Sequence, residues 1–259
     1  MEQNKKNVPV IMDFSGIYQT EEFWKERDVQ WIFVSDLTGT NCYCDDEARR
    51  LIRERIGMAD IHGIHFLDSG NYHYMSAVWL EKIKEPFRLL VLDNHTDMQL
   101  PAFGGILSCG GWIADVLENH PYLKEVILIG PDEEAFRQTD DSFKKRTSFY
   151  SREQLKNGGM EELSCFLGRI PADLPLYISV DKDVLCPQDA DTTWSQGDMR
   201  LEELERLLKV VYEHFYNKNG EIIGMDICGE CDFEHPAGSS INDRANERLL
   251  KLYETWSGL

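Results

Sequence analysis

The sequence predicts an α/β fold built on a mainly parallel sheet, and two observations predict it. Short unbroken apolar runs recur along the whole chain, and amphipathic stretches of helical period lie between them. Runs of that kind read as strands covered on both faces, and strand and helix signals that alternate imply parallel crossover units. No linker or composition shift divides the sequence, so 1–259 is expected to form one domain.

The strand candidates are VPVIMDF (8–14), WIFVSDL (31–37), GIHFLDS (63–69), FRLLVLD (87–93), EVILIG (125–130), LPLYISVD (174–181) and EIIGMDI (221–227), each rich in Val, Ile, Leu or aromatics. The helix candidates are 45–57, which opens on acids and closes on Gly57, then 75–85 before Pro86 and 110–120 before Pro121. They continue with 200–220, where Leu201, Leu204, Leu207, Leu208 and Val211 keep helical spacing, and with 241–258. The stretch 131–173 shows no regular period and is left unassigned.

Composition limits the partners. Lys plus Arg total 27 against 46 Asp plus Glu, a net charge of −19. Such a surface repels nucleic-acid backbones and anionic membranes and tolerates a cationic small molecule or metal ion. Neither a signal peptide nor a run of membrane-spanning length is present, so a cytoplasmic location is expected. Seven cysteines, an odd number, read as reduced thiols; Cys42 with Cys44 and Cys228 with Cys231 are close enough in sequence to raise a thiolate or redox site.

Two polar clusters follow strand candidates. In LLVLDNHTDMQ, Asp93, His95 and Asp97 alternate, so an extended segment would turn all three to one side. In LYISVDKDVLCP, Asp181 and Asp183 do the same. Carboxylates that close repel one another unless a cation sits between them, and oxygen with imidazole donors suits Mn²⁺, Fe²⁺, Zn²⁺ or Ni²⁺. Four carboxylates exceed what one ion uses and point to two ions with shared aspartates.

These blocks resemble the ureohydrolases, the family of arginase, agmatinase and formiminoglutamase. DNHTD is similar to that family's Asp-Ala-His-x-Asp motif, and SVDKDVLCP to its Ser-x-Asp-x-Asp-x-x-Asp-Pro motif through Ser179, Asp181, Asp183 and Pro187. DSGNYHYMS places His73 at the histidine of an upstream Gly-Gly-Asp-His-Ser block, and TTWSQGDMRLEEL resembles a downstream Gly-Gly-Leu-Thr region. The resemblance implies a three-layer α/β/α sandwich with about eight strands. It also implies two Mn²⁺, one held by His73, Asp93, Asp97 and Asp183, the other by His95, Asp93, Asp181 and Asp183, with Asp93 and Asp183 bridging. It further implies hydrolysis of a guanidino, amidino or linear amide C–N bond by a metal-bridging hydroxide. Asp97 and Asp183 would be catalytic, and Glu230 would pair with a cationic substrate. A homo-oligomer is expected by the same analogy.

The chain departs from the family pattern in several places. Segment 98–112 has Ser108 and Cys109 and no histidine, Cys186 replaces an aspartate, Ser69-Gly70-Asn71 replaces the Gly-Gly pair, and Glu230 stands one position late after Asp226. Specificity is expected in loops 98–112, 131–160 and 184–200. The alternatives are a deacetylase-like single-zinc amidohydrolase and a metal-binding protein of the same fold that serves regulation or binding without turnover.

Overall fold

The computed structural model describes residues 8–101, 104–218, 220–234 and 238–257. Its elements run β1 (Val10–Asp13), β2 (Gln30–Phe33), β3 (Tyr43–Cys44), α1 (Asp46–Ile56), β4 (Ile64–Phe66), α2 (Met75–Leu80), β5 (Phe87–Leu92), β6 (Leu107–Ser108), α3 (Trp112–Asn119) and β7 (Leu123–Ile129). They continue with α4 (Glu133–Arg137), α5 (Asp141–Lys144), β8 (Thr147–Tyr150), α6 (Arg152–Gly168), β9 (Leu176–Asp181), α7 (Leu201–Tyr216), β10 (Ile222–Cys228) and α8 (Ser239–Ser257). Eight strands form one sheet in the order β2-β1-β4-β10-β9-β5-β7-β8, every pair parallel. β3 and β6 make a separate antiparallel pair.

Alternation along each strand sends side chains into two cores. Val10, Met12, Leu89, Val91, Val126 and Leu128 pack with residues of α1, α2 and α3 on one face. Ile11, Leu90, Leu92, Ile127, Ile129, Ile178 and Val180 pack with α6, α7 and α8 on the other. The result is the three-layer α/β/α sandwich, and its strands are unbroken apolar runs because both faces are covered.

The seven strand candidates and five helix candidates are all present, with shifted ends. α1 begins where expected because the Asp45 side chain accepts from Ala48 N–H. The second helix stops at Leu80, before the expected 85, and its segment continues as a turn. The unassigned stretch holds α4, α5, β8 and α6. Here Ser151 and Gln154 form a capping box that starts α6, and Gly159, at φ +59°, breaks its course. No helix among the described residues is long and apolar enough to cross a membrane.

In parallel sheets ligands gather beyond the carboxyl ends of the strands, where neighbouring connections leave in opposite directions. β5 is such a place. The chain runs outward from it through β7 and β8, then returns through β9 and β10 to fill the space between β5 and β4.

Candidate metal centre

Each side chain of the centre is placed by a strand end. β5 pairs with β9, Val91 opposite Ser179 and Leu92 opposite Val180, so Asp93 and Asp181 leave the sheet side by side. Asp181 then caps a single 3-10 turn over Lys182–Val184 by accepting from Asp183 N–H at 2.9 Å. His73 follows β4 and a 3-10 turn, Gly70–Tyr72. The segment after β5 also turns: Asp93 Oδ1 accepts His95 N–H at 2.6 Å, and Asp97 sits at φ +46°. The alternating side chains therefore converge through tight turns, not through the pleat of an extended segment. A left-handed backbone is uncommon outside glycine, and aspartate is one of the few residues that adopt it readily, which suits Asp97 to this tight turn.

The side chains group around two foci. His73 Nδ1 faces Asp97 Oδ2 at 3.1 Å, Asp93 Oδ2 at 3.3 Å and Asp181 Oδ2 at 3.4 Å. His95 Nδ1 faces Asp183 Oδ2 at 2.8 Å and Asp93 Oδ1 at 3.6 Å. Within each of the sets His73–Asp93–Asp181 and Asp93–His95–Asp183, one donor atom per residue lies within 4.8 Å of the others. Asp93 is common to both. The division differs from the one the resemblance implied: Asp181 stands with His73, and Asp183 stands with His95. The cause is the 3-10 turn after β9, which carries Asp183 past Asp181 toward His95.

Neighbouring groups anchor these side chains. Ser179 Oγ lies 3.0 Å from His73 Nε2, Ser195 Oγ lies 2.9 Å from His95 Nε2, and Trp112 Nε1–H donates to Asp97 Oδ2 at 2.8 Å. Asn94 N–H donates to Asp183 Oδ1 at 3.0 Å. Outer contacts of this kind fix ring orientation in metal sites. Asn94 and Ser195 lie inside blocks that carry the resemblance and Trp112 ends the loop 98–112, but no sequence signal assigns any of them a supporting contact.

The electrostatics suit a divalent cation. Burial raises the carboxyl pKa of Asp181 and of Asp183, and Asp183 and Asp93 respectively push them further. Burial alone would lower His73 and His95, yet the facing carboxylates raise both overall. The imidazoles thus take up positive charge where the carboxylates demand it, and an ion supplies that charge directly. Asp93 Oδ2 is buried without a hydrogen-bond partner, an acceptor aimed at the first focus. The donor set fits two oxygen- and imidazole-preferring ions.

Glu230 does not join these residues. It is fully buried, its Oε1 is paired with Lys182 Nζ and accepts from Asn246 Nδ2 at 2.8 Å, and Asn246 also reaches Glu21. Lys182 points away from its neighbours Asp181 and Asp183, and its buried ammonium holds the carboxylate there. The pocket over the foci, about 230 Å³, is lined by the aspartates, both histidines, Gly70, Gly110, Cys42, Tyr43, Gln99, Ser108, Cys109 and Trp194. Loops 98–112 and 184–200 contribute as expected, whereas 131–160 contributes no described residue and the β3 segment takes its place. All seven cysteines are free thiols, and no candidate metal group among the described residues includes one.

Residues 45–230 match the model of the arginase family. The chain belongs to the arginase family. An uncharacterized protein of Thermotoga maritima is 31% identical over 223 residues, covering 86% of this chain and 79% of that one. Among solved structures, proclavaminate amidino hydrolase from Streptomyces clavuligerus superposes with a TM-score of 0.72 at 14% identity, over 99% of this chain and 93% of that one. Formimidoylglutamase from Bacillus subtilis gives 0.67 at 14% identity, over 99% and 89%. At those identities the likeness shows the arginase-like fold of this family member, and the donor set described above lies within the matched residues.

Proposed function

We propose that this protein is a binuclear metal-dependent hydrolase that cleaves a C–N bond of a guanidino, amidino or linear amide substrate. Mn²⁺ is the expected metal, with Zn²⁺, Fe²⁺ or Ni²⁺ as substitutes. The observation that carries the reading is Asp93, whose two oxygens face different histidines and belong to both donor groups. His73, Asp93, Asp97 and Asp181 would hold one ion, and His95, Asp93 and Asp183 the other. Bound there, the ions supply Lewis acidity and lower the pKa of a shared water until it is a nucleophile near neutral pH.

The chain's own groups do the rest. His73, Asp93 and Asp181 form a buried floor that excludes bulk water. His95 is partly exposed at the open side, and Asp183 lies against it. A carboxylate in that place can accept a proton as the nucleophile forms and deliver it to the leaving nitrogen. Asp97, pinned by Trp112 and by its place in a tight turn, keeps the floor from relaxing when charge changes during the reaction. The free thiols fit a cytoplasmic enzyme, and we read 1–259 as one unit.

Metal analysis combined with a screen for urea and ammonia release in added Mn²⁺ tests this. The expected result is about two ions per chain and metal-dependent release, as two-metal hydrolysis requires. Full turnover by metal-stripped protein would overturn the reading, and one tightly held ion would favour a deacetylase-like site.

A further inference from the structure

The walls of the pocket above the foci are built from uncharged side chains. Cys42, Tyr43, Gln99, Ser108, Cys109 and Trp194 line it beyond the metal-binding groups. The segments they belong to are uncharged throughout: 37–44, 98–111 and 192–197 contain no Asp, Glu, Lys or Arg, in a chain of which 28% is charged. Trp194 is held as a fixed wall, its Nε1–H donating to Asn71 Oδ1 at 2.9 Å and its ring edge-on to His95 at 6.0 Å between centroids. It remains 42% exposed and Tyr43 45%, so both present aromatic surface to the mouth.

Charge balance decides what this pocket accepts. Two divalent ions match the four carboxylates Asp93, Asp97, Asp181 and Asp183, so the only negative charge left is that of the hydroxide consumed as the nucleophile, and no fixed carboxylate remains for a substrate. Glu230 is already neutralised by Lys182. A cationic head entering the pocket would lose hydration without gaining a fixed counter-charge, a large penalty in a confined site. An uncharged carbonyl would lose less and would meet the amide of Gln99 and the hydroxyl of Ser108.

We infer that the substrate is an uncharged linear amide with an apolar or aromatic remainder lying along Trp194 and Tyr43, and not a guanidinium or amidinium cation. The cavity of 230 Å³ suits a molecule smaller than a drug-sized ligand, whose pockets run from roughly 300 Å³ upward. This inference rests on the hydrolase reading above. In the step it implies, the water oxygen forms the new bond to the carbonyl carbon. The C–N bond breaks with its electron pair remaining on nitrogen, and the nitrogen takes a proton from the attacking water. The products are a carboxylic acid and ammonia or an amine, which exchange a proton to give carboxylate and ammonium, and no other reactant is needed.

The test uses the Mn²⁺-loaded full chain and two probes of one shape, phenylacetamide and phenylacetamidine, which differ in an uncharged oxygen against a cationic nitrogen. Binding is measured by calorimetry and turnover by ammonia release. The expected result is at least about tenfold tighter binding of the amide, with ammonia released from it preferentially. The variant Gln99→Glu, which adds a carboxylate to the wall, is expected to reverse the binding preference. Equal or better binding of the amidine by the native chain, or no binding of either probe, overturns the inference. Amide-selective binding without any ammonia supports the uncharged pocket and overturns the hydrolase reading instead. Turnover of the amidine in preference to the amide upholds hydrolysis and overturns the substrate class.

Discussion

Asp93 does two jobs that compete unless a cation intervenes. Its Oδ1 is held by His95 N–H at 2.6 Å, and its Oδ2 is buried without a hydrogen bond beside His73. The supporting hydroxyl of Ser179 sits behind His73 and touches no pocket space, so its contribution is separable from direct ligation. Ser179→Ala is expected to weaken metal binding about 10–100-fold, measured by chelator competition, with helical content unchanged. An unaltered affinity would show that His73 keeps its orientation by other means. Glu230 supplies the contrasting case. Glu230→Gln leaves the Lys182 ammonium buried without its ion-pair partner, which costs about 3–5 kcal/mol. The loss is expected in denaturant unfolding, while binding of uncharged probes stays within a factor of about two in whatever fraction remains folded. A selective loss of substrate binding at native stability would restore the substrate-pairing role that the sequence implied. The cluster of Asp93, His95, Asp97, Asp181 and Asp183 was legible because ligand-type side chains alternate after apolar runs. Glu230 stands outside the pocket lining because its partner Lys182, between two of those aspartates, turns to the opposite side, which sequence does not say.

At the scale of elements, the centre depends on how closely β5 and β7 end together. Gly130, just after β7, has φ +116°, and a Cβ there would come within 2.3 Å of the Asp93 carbonyl oxygen and 2.9 Å of Val184 Cγ2. Gly130→Ala is therefore strained in two ways. The backbone conformation alone costs about 1–3 kcal/mol, and relief of the clash moves Asp93 out of both donor groups. Lower thermal stability together with weaker metal binding is expected, read by calorimetry and metal titration on the same sample. A stability loss without a change in metal affinity would show that Asp93 tolerates the shift. The same elements show why parts of the fold were legible and others were not. β5, β9 and β10 are buried on both faces and read as unbroken apolar runs. β8 is a four-residue edge strand, TSFY, mostly half-buried, so no apolar run announces it. β3 and β6 have two residues each, below any detectable period, yet they carry Tyr43 and Ser108 to the pocket. The 3-10 turn after β9 decides which aspartate meets which histidine, and that pairing follows from backbone turns that residue identity alone does not specify.

For the whole molecule, the distribution of charge matters more than its sum of −19. Most acids are solvated, but the centre and the sheet interior bury ionisable groups whose protonation links stability to pH. His65, on β4 and remote from the pocket lining, isolates one such link. Its ring stacks on Trp79 with centroids 4.0 Å apart, and its nitrogens meet the Tyr177 hydroxyl and the Asp60 carbonyl, each at 3.0 Å. Burial drives its pKa from 6.5 down to about 4. The folded state therefore holds His65 neutral in a range where the unfolded chain has already taken a proton. Its contribution is fully present above pH 6.5, shrinks as the pH falls toward 4, and is gone below that. A shift of that size corresponds to about 3 kcal/mol. His65→Phe keeps the stacking and removes the titration, at the cost of two unpaired partners, so the variant is expected to be less stable than the native chain at pH 7. The gap between the two is expected to narrow by about 3 kcal/mol between pH 7 and pH 4, because every other titrating group is shared and cancels in the comparison. Denaturant unfolding at both pH values, with metal chelated throughout, measures that change, and a gap that stays constant would show that His65 is not the acid-sensitive group of the sheet interior.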